Sequence, residues 1–216
     1  MTKICCISDT HGQHWDLEIP KCDVLIHAGD WSTHGKIIDL IDFSDWCNSL
    51  KHVETIIVIA GNHDLFAYEC SDIAKSVFSD KVQYLENQQT VTPQGLTVWG
   101  SPITPTFGDW AFMCDRDKIK RYWDMIPKDI NILITHGPAY GVMDDVLCSR
   151  FNPKLGSIRV GCEELKRTVR DIAPQLHVFG HIHGGYGIKV GKTTSINASV
   201  LNEEYTLVNK PIVVEV

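Results

Sequence analysis

Short apolar runs that each end in polar residues recur along the chain, and they predict the strands of an α/β sheet. The clearest run is residues 55–60, in which five of six residues are apolar and four of those are β-branched. A run of this kind predicts a short strand that is buried on both faces. Comparable runs predict strands at residues 4–8, 24–28, 130–135 and 176–179.

Two longer stretches carry apolar residues at helical spacing instead. Residues 36–50 present a broad apolar stripe, and residues 161–172 present a second one that Pro174 closes. Each is typical of a helix packed on a sheet. The first lies between two predicted strands, so a right-handed strand–helix–strand crossover and a parallel sheet are expected.

Further short strands are predicted from turn residues and β-forming runs. They are residues 82–84, 90–93, 96–100, 186–190, 192–197 and 211–216. The last three are expected to complete a second group of strands. Residues 65–78 are expected to be helical, with a less regular apolar pattern, and they lie between the first and second groups of strands.

Polar side chains with metal-binding atoms follow five of the buried strands. The pooled set is Asp9, His11, Asp30, Asn62, His136, His181 and His183. Taken alone, the Asp-x-His pair or the Gly-Asn-His-Asp turn is equally compatible with an ordinary polar turn. The joint occurrence is not, because ligands bind at the carboxyl ends of strands in open α/β sheets. Seven ligands exceed the needs of one ion and suit two ions that share a carboxylate.

The composition narrows the class of protein. With 216 residues, 44% hydrophobic and 22% charged, the chain is expected to be one globular domain spanning residues 1–216. The net charge of −7 and the lack of a Lys/Arg block argue against long nucleic acid as a partner. No apolar run approaches the ~18 residues of a membrane span, and the chain starts with a strand, which leaves no room for a signal peptide.

The donor set and the cysteines add two expectations. The candidate ligands contain no thiol, which favours manganese, iron or zinc over copper. Eight cysteines without a Cys-x-x-Cys pair are typical of reduced thiols, so the cytoplasm is the expected location.

Aromatic residues among Pro and Gly distinguish residues 101–127. Phe107, Trp110 and Phe112 either seal the end of the core or form a wall on which a ring stacks. Arg116 belongs to a solvated basic helix face or reaches a phosphate group. The sequence leaves both alternatives open.

The ordered motifs resemble the signature of the calcineurin-like metallophosphoesterases. Those motifs are Asp9-x-His11, Gly29-Asp30, Gly61-Asn62-His63-Asp64, His136 and Gly180-His181-x-His183. The residues around these motifs are similar to those of the metallophosphoesterase-domain branch of the family. That branch is related to the class III cyclic nucleotide phosphodiesterases. Some animal members of that branch have glycine in place of the first histidine of the last motif, whereas this chain has His181.

The resemblance implies a four-layer sandwich of two mixed β-sheets flanked by helices. It further implies two divalent ions, with manganese expected and iron, zinc, nickel, cobalt or magnesium as alternatives. One ion would be held by Asp9, His11, Asp30 and His183, and the other by Asp30, Asn62, His136 and His181. A hydroxide bridging the ions would attack the phosphorus in line, His63 would protonate the leaving group, and Asp64 would fix the tautomer of His63.

The expected substrate is a small phosphodiester, in particular a nucleotide or cyclic nucleotide, with Trp110, Phe107, Phe112 and Arg116 as its contacts. Alternative functions that would use the same chemistry are those of a phosphomonoesterase, a protein phosphatase or a DNA-end nuclease. A non-catalytic scaffold is the alternative from another class, and it is disfavoured because all seven ligands are present. No membrane partner is expected.

Overall fold

The computed structural model describes residues 1–148 and 152–216. Its helices are α1 (Ile37–Ser49), α2 (Leu65–Glu69), α3 (Ser71–Val77), α4 (Lys120–Trp123) and α5 (Glu163–Ile172), with single 3-10 turns at His14–Asp16, Pro153–Leu155 and His183–Gly185. Its strands are β1 (Lys3–Ile7), β2 (Val24–His27), β3 (Thr55–Val58), β4 (Val82–Tyr84), β5 (Gln88–Val91), β6 (Thr97–Ser101), β7 (Thr104–Pro105), β8 (Met113–Cys114), β9 (Ile132–Thr135), β10 (Asp145–Leu147), β11 (Ser157–Arg159), β12 (Leu176–Phe179), β13 (Gly187–Lys189), β14 (Thr194–Asn197) and β15 (Ile212–Glu215).

Most of these strands form two large sheets. The first has the order β15-β1-β2-β3-β4 and the second the order β13-β14-β12-β9-β6-β5. In each sheet the central strands are parallel and at least one outer strand is antiparallel. Both sheets are therefore mixed, as the family resemblance implied.

The two sheets pack face to face, and helices cover the outer faces. Ile4 and Cys6 of β1 lie in an inner cluster with Ile132 and Val178 of the second sheet. The alternate residues Cys5 and Ile7 belong to the cluster that includes residues of α1. Because side chains alternate between the faces of a strand, one strand supplies both layers of core. The result is the four-layer sandwich of helix, sheet, sheet and helix.

Residues at both ends of helix α5 set its bounds. Its first turn is capped by the Sγ of Cys162, which accepts a hydrogen bond from the Leu165 amide at 3.4 Å. Ala173 adopts a left-handed conformation with φ of 53°, and Pro174 follows it. A left-handed residue closes a helix, and proline prevents its continuation. The predicted helix is confirmed to within two residues at its start.

One strand lies elsewhere than the sequence analysis placed it. The run at residues 211–216 was expected in the second group of strands, but β15 pairs antiparallel with β1 in the first sheet, with Cys5 opposite Val213. Strand order depends on pairing between distant segments, which the periodicity of a single segment does not encode. The expectation was wrong for β15. Among the described residues, no helix is long and apolar enough to cross a bilayer.

Candidate metal centre

The seven predicted ligands converge where the carboxyl ends of strands from both sheets meet. Asp9 and His11 follow β1, Asp30 follows β2 and Asn62 follows β3 in the first sheet. His136 follows β9, and His181 and His183 follow β12 in the second. All but the two histidines after β12 are at least 95% buried, with Asp9 and His136 fully so. The cluster is therefore an interior site.

Asp30 lies between the two halves of the cluster. Its Oδ2 is 3.8 Å from His11 Nε2, which belongs to the first sheet, and 3.3 Å from His136 Nε2, which belongs to the second. His136 Nε2 is also 3.0 Å from Asn62 Oδ1. One carboxylate is thus positioned to serve two neighbouring ligand groups.

Potential ligand atoms group into sets that could each hold an ion. Asp9, His11 and His183 form one set, and Asp9, Asp30 and His136 form another, with all atoms of a set within 4.8 Å of one another. The first agrees with the first ion site that the resemblance implied. The second contains the Asp30–His136 pair assigned to the other ion. The His181 ring packs against the His136 ring at a centroid distance of 5.0 Å.

Backbone carbonyls fix the tautomers of the histidines. The Nδ1 atom of His11 is 3.0 Å from Ser32 O, that of His136 is 2.9 Å from Ala28 O, and that of His183 is 2.8 Å from Asn202 O. A carbonyl oxygen only accepts hydrogen bonds, so each Nδ1 carries the proton and donates it. In the neutral ring each Nε2 then has a lone pair that faces the cluster, which is the arrangement of metal-binding histidines.

The electrostatics of the cluster fit a cation. Burial would raise the pKa of the Asp9 carboxyl, but the hydrogen bond from His183 and the charges of the histidines outweigh it and hold the pKa well below its usual range. Burial lowers the pKa of His136, yet the Asp30 carboxylate overcomes this and raises it to about 9. A proton on His136 thus supplies positive charge that a metal ion would otherwise provide.

A further feature of the cluster supports metal binding. His11 Nε2 is buried and has no hydrogen-bond partner among the described residues. Burial lowers the pKa of His11, and it lowers that of His181 to about 3, so both rings are neutral near pH 7. Neutral imidazole is the form that ligates metals, and an unpartnered buried nitrogen is costly unless an ion fills the space beside it. The residues present fit a divalent metal.

Two glycines make room for the ligands. A Cβ built on Gly61 would overlap Asp30 Oδ1, and one built on Gly180 would overlap Asp9 Oδ2. The backbone therefore approaches the carboxylates more closely than any side chain would allow. The glycines before Asn62 and His181 are part of the site's geometry.

His63 lies at the edge of the cluster. Its Nδ1 donates to Thr33 O at 3.0 Å, so Nε2 is directed away from that carbonyl. Its ring packs against Trp110 with centroids 4.4 Å apart and the ring planes tilted by 34°. It also forms a potential ligand set with His11 and Asp30, which places it within reach of the reacting groups.

Asp64 does not orient His63 as the sequence analysis expected. Its Oδ2 accepts hydrogen bonds from the amides of Asp30 and Gly61 at 2.9 and 2.8 Å. Its Oδ1 accepts from the amide and hydroxyl of Ser32. Burial, together with the charge of Asp30, raises the pKa of Asp64 to about 8. Asp64 therefore braces the loop after β2, and the Thr33 carbonyl, which no side-chain motif reveals, fixes the tautomer of His63.

A cavity of about 430 Å³ opens above the cluster. Phe107 and Trp110 line it and are 56% and 39% exposed. Phe112 does not line it, because its side chain is 3% exposed in the core and contacts Tyr68. Of the three predicted aromatic contacts, the structure brings two to the cavity.

Arg116 lines the cavity but is already engaged. It donates to the carbonyl oxygens of Gly161 at 2.8 Å and Val160 at 2.7 Å, and it forms an ion pair with Glu163. These contacts tie the 160–163 segment to the cavity wall. Its contact with substrate stays a prediction.

Glu203 and Tyr205 are among the cavity residues that were not predicted from the sequence. The Tyr205 ring lies 4.9 Å from the His11 ring and 5.1 Å from the His183 ring. The Glu203 carboxylate lies against the backbone after His183, since a Cβ on Gly184 would be 2.9 Å from its Oε1. Both follow the last motif in a loop without periodicity. Hydrogen bonds from His183 to Asn202 O and from Gln13 to Tyr205 O hold this loop at the site.

A family model described as calcineurin-like phosphoesterase matches residues 2–185. The chain belongs to this family. It is therefore a metal-dependent phosphoester hydrolase of a family that uses a binuclear metal centre.

Relatives and structural neighbours agree with the assignment. The chain is 42% identical over 238 residues to human metallophosphoesterase domain-containing protein 1, an alignment that covers 99% of this chain and 71% of the human protein. It is 36% identical to a UPF0046 protein of Caenorhabditis elegans, over 98% of this chain and 74% of that one. Among solved structures, a phosphopantetheinyl hydrolase from Mycobacterium tuberculosis has the same fold, with a TM-score of 0.63 at 13% identity over 94% of this chain and 90% of that one.

Asp30→Ala is expected to remove more metal than Asn62→Ala. Asp30 faces both halves of the cluster, whereas Asn62 contacts only the His136 half. Metal content per purified chain, measured by mass spectrometry, checks this. Two tightly bound ions in the Asp30 variant would refute the bridging role.

Gly180→Ala is expected to abolish metal binding while most of the fold persists, because the new methyl group would displace the Asp9 carboxylate. Gly191→Ala is the matched control, since its Cβ would meet nothing closer than Thr193 O at 3.4 Å. Metal content and circular dichroism are measured together. Normal metal content in Gly180→Ala would show that the close approach is not required.

Proposed function

We propose that the chain hydrolyses small phosphodiesters, in particular nucleotide or cyclic nucleotide diesters. The observation that carries this proposal is the pairing of aromatic cavity walls with the metal-binding cluster. Phe107 stands beside His181 at a centroid distance of 5.1 Å, and Trp110 stands beside His63 at 4.4 Å. A flat base stacked on either ring would have its phosphate close to the cluster, and stacking accepts any base.

The ligands would hold two divalent ions, which we expect to be manganese, although the donor set also suits iron or zinc. The chemistry that bound ions supply is the activation of water and the neutralisation of charge on the phosphoryl oxygens. Asp9, His11, Asp30 and His183 would hold one ion, and Asn62, His136 and His181 would share Asp30 for the other. The Nδ1 hydrogen bonds of His11, His136 and His183 hold these three rings with Nε2 towards the cluster.

His63 is assigned to the leaving group. With its Nδ1 proton held by Thr33 O, only Nε2 can give a proton to the departing alkoxide. Trp110 packs on its ring and limits rotation out of the cavity. A positioned general acid is worth about 10² to 10⁴ in rate.

The charge of Glu203 on the cavity wall favours a diester over a monoester. Near neutral pH a phosphomonoester carries up to about two negative charges, whereas a diester carries one. Glu203 adds a negative charge to the cavity wall, and the positive charge of Arg116 is offset by Glu163. Like charges placed together lower affinity, so the more highly charged monoester is penalised more.

The location and the macromolecular partners are also proposals. All eight cysteines lie in the described part of the chain and are free thiols, which supports a reducing compartment such as the cytoplasm. The net charge of −7 supports a small substrate rather than long nucleic acid.

His63→Asn is expected to retain the metals and to lose activity by about 10² to 10⁴-fold on esters with poor leaving groups. The loss should be smaller for bis-p-nitrophenyl phosphate, since p-nitrophenolate departs without a proton. Rates on both substrates and the metal content are compared. Equal losses on both would exclude the general-acid role, and loss of metal would identify His63 as a ligand.

Trp110→Ala is expected to raise KM for nucleotide diesters by about tenfold, because stacking contributes roughly 1 to 3 kcal/mol per base. Hydrolysis of bis-p-nitrophenyl phosphate should change less. Trp15→Ala is the control, since Trp15 is 53% exposed and does not line the cavity. A similar response of both substrates would remove the support for a nucleotide.

Glu203→Gln is expected to raise kcat/KM for phosphomonoesters about fivefold relative to diesters, as removal of about 1 kcal/mol of repulsion predicts. The neighbouring Glu204→Gln, at an exposed residue that does not line the cavity, is the matched control. Initial rates on p-nitrophenyl phosphate and its bis ester give the ratio. An unchanged ratio would show that Glu203 does not select the substrate by charge.

A further inference from the structure

A second cavity, of about 260 Å³, lies between α5, the β13–β14 hairpin and the turn after Pro138. Its wall includes the apolar side chains of Val142, Val169 and Ala173. Lys166, Arg170, Lys189 and Lys192 surround these side chains, and we call the whole the basic cavity. Apolar surface with charged groups around it is the usual composition of a small-ligand site.

The charge of the basic cavity is opposite to that of the chain. The whole chain has a net charge of −7, yet none of the described residues that line this cavity is acidic. Arg170 is paired with Asp171 at 2.8 Å. Lys166, Lys189 and Lys192 have no ion pair within 4.0 Å among residues 1–148 and 152–216. Three positive charges are therefore available to a ligand.

Two of the lysines converge on Gly141. The Lys189 ammonium donates to Gly141 O at 3.3 Å. The Lys166 ammonium lies 3.7 Å from the position that a Cβ on Gly141 would occupy. Arg159 also reaches this turn, but it pairs with Asp145 at 3.8 Å. Two like charges brought to one turn repel each other, and an anion placed between them would relieve the repulsion.

We propose that the basic cavity binds a small organic anion. Its carboxylate or phosphate group would lie between Lys166 and Lys189, and its apolar body would cover Val142, Val169 and Ala173. Lysine ammonium groups bind either kind of head group, and burial of the apolar body adds affinity in proportion to its area. The volume suits a medium-chain or single-ring acid better than a polymer.

One segment of the chain contributes residues to both the basic cavity and the catalytic cavity. Gly137 and Pro138 line the catalytic cavity, and Ala139 and Val142, from the same segment, line the basic cavity. The amide of Cys162 donates to Pro138 O at 3.0 Å, and the amide of Tyr140 donates to Cys162 O at 3.1 Å, which fixes this segment to the start of α5. An anion in the basic cavity would thus contact the segment that also lines the catalytic cavity.

Binding is tested on the full chain after metal removal and dialysis, so the result is independent of catalysis. The probe is octanoate, and its binding is followed in ¹H–¹⁵N correlation spectra. Octanol, which lacks the carboxylate, and acetate, which lacks the long apolar chain, are the comparison probes. Saturable shifts are expected at the amides of Gly141, Gly191 and Thr193. Octanol and acetate should each bind more weakly than octanoate.

The matched variants are two double substitutions with the same change in net charge. Lys166→Gln with Lys189→Gln should weaken octanoate binding by about tenfold or more. Lys75→Gln with Lys128→Gln alters exposed lysines outside the cavity and should bind as the unmodified chain does. The lysines are exposed, so dispersed spectra are expected from every variant.

Three results would overturn the proposal. They are no saturable shift at the three amides, equal weakening by both double variants, and octanol binding as tightly as octanoate. The first would show that the cavity holds no such ligand, the second that only net charge matters, and the third that the lysines do not contribute.

Discussion

The buried charge of Asp30 is the constraint on which the rest of the site depends. The residue is 2% exposed, and an unpaired carboxylate in such a position would be strongly destabilising. The protonated ring of His136, from the second sheet, offsets its charge, and the backbone amide of His63 donates to it at 2.8 Å. The neutral ring of His11, from the first sheet, lies beside it with Nε2 at 3.8 Å. The Asp30 carboxylate thus finds its partners only where the ends of both sheets meet. That point is the catalytic centre.

The backbone of the loops that carry the ligands is strained, and hydrogen bonds from the surrounding structure stabilise these conformations. Asp9, His11, Asp30 and His181 all have positive φ, between 41° and 68°, which is costly for residues other than glycine. The amides of Asp9 and His11 donate to Gly29 O and Asp30 O, which ties the β1 loop to the β2 loop. Asp64 holds the Asp30 loop through its two hydrogen bonds to Ser32 and Asp30 amides. A preorganised cluster needs no rearrangement to bind ions.

The sequence predicted what depends on local pattern and missed what depends on distant contacts. Strand ends follow from apolar runs, so Asp30 and His136 were placed correctly at the ends of β2 and β9. The partner of β15 and the side of the core on which Phe112 packs depend on pairing across the whole chain. The orienting role of Thr33 could not be predicted, because a backbone carbonyl leaves no signal in residue type.

The catalytic cavity extends beyond the part of the chain that the family model matches. The match to the family model ends at residue 185, and it includes every candidate ligand. Glu203 and Tyr205 lie beyond it, yet both line the catalytic cavity, and Tyr205 packs on two of the ligand histidines. Residues on strand ends are fixed by the core, whereas a surface loop can change without disturbing it. The loop at residues 202–206 is therefore one place, besides Phe107 and Trp110, where this chain can differ in substrate from other members of the family.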